Sequence, residues 1–174
     1  MPEPSLERAL QESMEEVLEK MFFIQCLGEP REFSPEPEVV AHLRFEGDPS
    51  GSLTLRVTAG AARSVSADFM GAEEQDLSEQ QIGDVVCELA NMICGSVLSR
   101  VESATDFRLA TPQIVTRSNS QDFTTEATES GDPPPTAQCA GSSTVHAVGI
   151  GSGRMVVSIS QEARAWSETV RYAF

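Results

Sequence analysis

Two periodicities run along the chain, one near 3.6 residues and one of two. Leu6, Leu10, Met14, Val17, Leu18 and Met21 recur at helical spacing, which predicts a helix over 5–23. Ser5 serves as its N-cap, and Glu7 and Glu12 favour its early turns. Gly28, Pro30, Pro35 and Pro37 mark 27–37 as a loop. Val39, Ala41, Leu43 and Phe45 then alternate with Val40, His42 and Arg44, and Leu53, Leu55 and Val57 alternate after the turn Asp48-Pro-Ser-Gly51. That is a β-hairpin. A short helix follows from about Ala59 to Met70, ended by Gly71. Residues 72–79 are acidic and polar. Ser78, with Gln81 three positions on, forms a capping box for a long helix running to about Ser103. Pro112 to Thr116 reads as a strand. Val145–Ile150 and Arg154–Ile159 read as a second hairpin around Gly151-Ser-Gly153. Ser, Thr, Gly, Asp and Pro dominate residues 118–142, which are expected to be mobile or irregular. A C-terminal extension over 161–174 carries Trp166 and Tyr172, and its spacing allows a short helix packing back on the body. Strands interrupted by helices predict an α+β fold: one domain over 1–174, a mainly antiparallel sheet, and long helices on one face.

Charge narrows the partners. The 174 residues hold 27 acids against 12 Lys and Arg, a formal net charge of −15. Such a field repels nucleic acid and anionic membranes, so neither is expected as a partner. A partner with a basic rim, or one bearing a metal, fits better. The start, Met-Pro-Glu-Pro-Ser-Leu-Glu, lacks the basic and apolar regions of a signal peptide. No apolar run is expected to reach the length of a membrane span. A cytoplasmic location is the expectation. Cys26, Cys87, Cys94 and Cys139 form no C-x2-C pair, and His42 and His146 fall in predicted strands. No metal site and no cofactor of the chain's own are expected. Cys87 and Cys94 are expected to pack as small hydrophobes.

The long helix holds the most informative residues. Asp84, Glu88, Asn91 and Gly95 have the spacing D-x3-E-x2-N-x3-G, which places them within about 60° on one helix face. Gln81, Ser99 and Glu102 extend the same stripe. Apolar residues cover the rest of the circumference. No Lys or Arg on that face pairs the acids. A wet stripe on an amphipathic helix is the bland reading, and a docking surface is the sharp one. The first helix echoes the pattern weakly, with Glu16 at the Glu88 position and Glu19 at the Asn91 position. A duplicated helix-plus-strands unit would explain the echo.

Asp84-x3-Glu88-x2-Asn91, followed after twenty residues by Pro112, resembles the signature of the CheC/CheX/FliY phosphatases of bacterial chemotaxis. The string Glu-Leu-Ala-Asn-Met-Ile-Cys-Gly is most similar to the CheX branch. The resemblance implies hydrolysis of the aspartyl phosphate on a response-regulator receiver domain. It implies that Glu88 pairs with a receiver lysine, that Asn91 orients the attacking water, and that the receiver supplies Mg2+. Asp84, Gly95 and Pro112 would belong to the partner-binding surface. An amide suits the water-orienting position because it accepts a hydrogen bond without bringing charge against a phosphoryl group. Glu19, as the echo of Asn91, therefore predicts a dead first site. A single intact motif implies a homodimer. The alternatives are a receiver-binding or flagellar-switch module that docks without turnover, and an unrelated scaffold whose stripe is merely wet.

Overall fold

The computed structural model describes residues 5–30, 36–101, 106–115, 143–151 and 153–162. Helix α1 spans Leu6–Met21, and the Ser5 hydroxyl accepts from the Arg8 amide at 3.3 Å. Its exit is unusual. Phe23, just past the C-cap, sits at φ 56°, the left-handed position that glycine usually fills. An L-residue there costs about 1–2 kcal/mol. The ring is 88% exposed, so burial offsets little of that.

Strands β1 (Glu38–Glu46) and β2 (Ser50–Thr58) form the first hairpin. Helix α2 (Ala59–Met70) follows at once and stops at Gly71, with φ 63°. A short 3-10 turn at Glu74–Asp76 leads to α3, Glu79–Val101. The capping box forms as expected: the Gln81 amide donates to Ser78 Oγ at 3.2 Å, and the Ser78 amide donates to Gln81 Oε1 at 2.9 Å. Ser78→Ala should cost about 1 kcal/mol. In a chain of this size that lowers Tm by about 2–4 °C in a thermal melt.

Beyond α3, two very short strands appear, β3 (Arg108–Leu109) and β4 (Gln113–Ile114). The first was not expected, and the second is shorter than the predicted 112–116. Both are held by pairing to β1, through Phe45↔Leu109 and Ala41↔Ile114. Strands β5 (Ser143–Ile150) and β6 (Gly153–Glu162) complete the second hairpin. Gln161 and Glu162 belong to β6 rather than to the predicted extension, because they pair with Gly51 and Ser50. The expectations for 118–142 and for the rest of the extension fall outside the described residues.

The sheet order is β3-β1-β2-β6-β5, with β4 also on β1. All pairings are antiparallel. Alternate residues point to the helix layer: Ala41, Leu43 and Phe45; Leu53, Leu55 and Val57; Met155, Val157 and Ile159. The two hairpins meet at β2 and β6, where Leu55 faces Val157. Each long helix reaches across to the other half. Helix α1 packs on β5, and α3 packs on β1 and β2. That crossed arrangement supports the duplicated unit read from the echo.

Helix α3 is apolar and long enough to cross a membrane by length and composition, against the expectation that no segment approaches a span. Here it serves as the core helix, with Ile82, Val86, Leu89, Ala90, Ile93 and Val97 buried. Burial pushes the Cys94 thiol up to about 12, in keeping with a packing role.

On the sheet face away from the helices, the Glu38 carboxylate is 6% exposed. It accepts two hydrogen bonds from Arg56, at 2.9 and 2.6 Å, and one from Arg154 at 3.2 Å. Burial alone would raise its pKa, but the two guanidinium groups outweigh burial and hold it below the usual range. A depressed carboxylate contributes stability above its unfolded pKa of about 4.3. That contribution is lost as pH falls through the folded value. Glu38→Gln should therefore melt below the parent at pH 7, with the gap narrowing toward pH 3. A gap independent of pH in the same melts would assign the loss to packing alone.

Candidate functional site

The site is a ridge on α3. Asp84 and Glu88 are exposed, and Asn91 and Gly95 are half-buried. Helix rise sets Asp84 and Asn91 about 10 Å apart along the axis. Among the described residues, none of the three polar side chains makes a hydrogen bond or ion pair. A Cβ at Gly95 would meet nothing within 4 Å, so the helix backbone is bare there. Gln81 is tied up in the N-terminal box. Ser99, at the other end, turns its hydroxyl back to the Ser96 carbonyl at 2.9 Å. Glu102 lies outside the described residues. The centre of the stripe is thus the part with unspent hydrogen-bonding capacity.

Two structures flank the ridge. On one side Ser96 donates to Ser13 of α1 at 3.1 Å, and Arg100 pairs with Glu12 and Glu16 of α1. On the other side lies β4, whose Ile114 Cγ1 sits 3.1 Å from where a Cβ of Gly83 would be. A side chain at 83 would crowd Ile114, and glycine leaves that contact unforced. Pro112 is half-buried in the link between β3 and β4. That link is fixed to β1 at both ends, by Ala110 N to Arg44 O and Val115 N to Val40 O, both 2.8 Å. Pro112 therefore belongs to the flanking segment, not to the stripe. The exposed side chain of Ile114 beside the ridge is a feature the sequence reading missed. Its signal was the apolar pair Ile114-Val115 after a proline, whose outward placement depends on β1.

Cys87 lies between the stripe and β4. Burial raises its thiol pKa, and Asp84 adds to the rise. Both effects disfavour the thiolate, the reactive form of the side chain. Among the described residues, no three of His, Cys, Asp and Glu come together as a metal cage.

The echo in α1 has a different fate. Glu16 bonds Lys20 at 2.6 Å and also Arg100, and these partners lower its pKa. Glu12 is shared between Arg8 and Arg100. Those acids fasten α1 to α3 and are not offered to a partner. Glu19 is exposed.

Neither of two surface hollows touches α3. One, of about 550 Å³, is lined by Arg44, Glu46, Arg108 and Glu162; the other, of about 320 Å³, by Phe23, Leu27 and Asp68. The stripe lies on an open helix surface outside both hollows. An open helix face with unpaired acid and amide groups suits docking against a partner better than enclosure of a small molecule.

A family model described as chemotaxis phosphatase CheX matches residues 39–129. The chemotaxis protein CheX from Vibrio vulnificus has a similar structure, with a TM-score of 0.65 and 21% identity, over 90% of this chain and 96% of that one. CheX from Desulfovibrio desulfuricans gives 0.61 and 22%, over 90% and 99%. CheX in a CheX–CheY–BeF3–Mg2+ complex from Borrelia burgdorferi gives 0.63 and 14%, over 92% and 99%. No curated protein matches the sequence.

Proposed function

The chain belongs to the CheX family of chemotaxis phosphatases, and from that premise we propose that it hydrolyses the aspartyl phosphate of a response-regulator receiver domain through the α3 ridge. The observation that carries this reading is the unpaired Glu88–Asn91 pair, one helical turn apart on one face of α3, with Glu88 exposed and Asn91 half-buried. The relative from Borrelia burgdorferi was solved bound to CheY, which supports a receiver as the partner class.

In the proposed complex Glu88 meets the receiver lysine as a charge-assisted pair and fixes the docking. Asn91 then enters the receiver's site. Its side-chain carbonyl accepts from a water, and the oxygen of that water is aimed at phosphorus opposite the aspartyl oxygen. The new P–O bond forms as the bond to the carboxylate breaks. The products are aspartate and inorganic phosphate; one proton of the water stays on the phosphate and the other passes to solvent. The receiver brings the Mg2+ that offsets the phosphoryl charge. This chain contributes position and hydrogen bonding, with no nucleophile of its own. Asp84, Gly95 and Pro112 shape the approach: one by charge, one by leaving the backbone bare, one by holding the β3–β4 link beside the helix.

The test is the decay of a phosphorylated receiver with and without catalytic amounts of the chain. Faster decay supports the phosphatase. Binding without faster decay would move the assignment to a docking module. A homodimer is part of the proposal, and its natural seam is the outer edge of β5. Among the described residues no strand pairs with that edge, and Leu27 and Gly28 bond it only at Gly149.

A further inference from the structure

The β4 flank of the ridge carries an apolar group with no role in the reaction above. Ile114 pairs with Ala41, a core residue, so strand alternation aims Ile114 at the helix layer and Val115 at the opposite face. One side of the Ile114 side chain rests on α3, with Cγ1 3.1 Å from where a Cβ of Gly83 would be. The other side is open, and the residue is 40% exposed. Among the described residues β4 pairs with β1 alone, so it stands at the rim of the sheet. Its backbone is held there by that pairing and by Val115 N to Val40 O at 2.8 Å. A β-branched side chain on a fixed backbone loses little further freedom when a partner covers it.

Position decides which partner that is. Gly83 adjoins Asp84, and the helix rise puts Glu88 about 7.5 Å and Asn91 about 12 Å beyond Gly83 along the axis. A protein interface of ordinary size buries about 800 Å² on each side, a patch about 30 Å across. A receiver seated on Glu88 and Asn91 therefore overlies Ile114. A second copy joined at β5 is remote from it. The order β4-β1-β2-β6-β5 puts that seam roughly 19 Å away across the sheet. The chain itself leaves β4 in another direction, because the Val115 bond to Val40 carries it along β1 toward Glu38.

We propose that Ile114 is a positioning residue of the α3 ridge. Its open side packs against an apolar spot on the receiver beside the phosphorylated aspartate and seats the helix, while Glu88 supplies the charge and Asn91 the contact to water. This rests on the receiver reading. An apolar contact made alike before and during the reaction strengthens docking and leaves the chemical step unchanged. Its loss shows in the receiver concentration needed and not in the rate at saturation, the reverse of what loss of the Asn91 amide does.

The experiment titrates a receiver from the same genome, with Mg2+, against the full chain and its variants, and measures receiver dephosphorylation at saturation. Ile114→Ser should weaken docking about tenfold, with the saturated rate within about twofold of the parent. Ile114→Val should dock within about twofold of the parent. Val115→Ser, 46% exposed before substitution but on the other face, should match the parent. Ile114→Thr keeps a branched Cβ against Gly83 and should weaken docking about threefold. It takes the place of Ile114→Ser if that variant melts below the assay temperature. Unchanged docking in the Ile114 variants, beside a Glu88→Lys that no longer docks, would overturn the role of Ile114 and leave the receiver reading standing. Equal losses in Ile114→Ser and Val115→Ser would do the same, as would a fall in the saturated rate with docking intact. A parent chain that binds no receiver would overturn both readings.

Discussion

Asn91→Ala should slow receiver dephosphorylation on the order of 10²-fold while leaving receiver affinity within about threefold. The size follows from what the amide is asked to do. It orients one water and makes no bond to phosphorus, so its loss removes positioning and little else. The expected pattern is a fall in the rate at saturation, not a shift in the concentration needed to reach it. Asn91→Asp is the sharper companion. It keeps the shape and the acceptor but places a carboxylate against the phosphoryl group, and it should be no faster than Asn91→Ala. Asn91 is half-buried on a helix whose core side is packed by Leu89, Ala90 and Ile93. Neither substitution touches that packing, so melting curves should overlay. Full turnover by Asn91→Ala would remove the mechanism while leaving the family assignment standing.

Glu88→Lys should abolish detectable docking to the receiver, a loss of at least about 10²-fold in affinity. Losing one member of an interfacial charge pair costs about 2–5 kcal/mol, and reversing the sign adds repulsion. The fold should not notice. Glu88 is exposed and, among the described residues, without an ionic partner. Titration calorimetry against the unphosphorylated receiver with Mg2+ separates this role from that of Asn91, because no chemistry occurs there. Unchanged affinity would mean the receiver docks elsewhere. Paired with the Asn91 result, it distinguishes an anchor from a water-orienting group.

Much of this was readable in the sequence, for identifiable reasons. Gly71 and the Ser78–Gln81 box are local signals, and α2 and α3 begin and end close to where those signals place them. The hairpins were legible because one face of each strand is buried and the period is therefore two. The exposed stripe was legible because a wheel needs only the sequence. What failed was set by distant partners. A two-residue strand has no period, so β3 was not foreseen and β4 is shorter than the strand expected over 112–116; both pair with the edge that β1 offers. No glycine marks the end of α1, so the left-handed Phe23 had no local sign. The apolar length of α3 reaches that of a span because a core helix is apolar around most of its circumference, with Asp84 and Glu88 confined to one narrow face.

The crossing of the two halves has a consequence for synthesis. Helix α1 leaves the ribosome first, but the surfaces it covers belong to α3 and to β5, which begins only at Ser143. The first hairpin likewise waits for β6 on one side and for α3 above. Its apolar face waits only for α2 and α3, which are complete at Val101, but the β2 edge stays open until β6, from Gly153, has been made. The first half can therefore collapse early and still carries an unpaired sheet edge until the last strand arrives. A stalled or truncated nascent chain would present that open edge to chaperones and proteases.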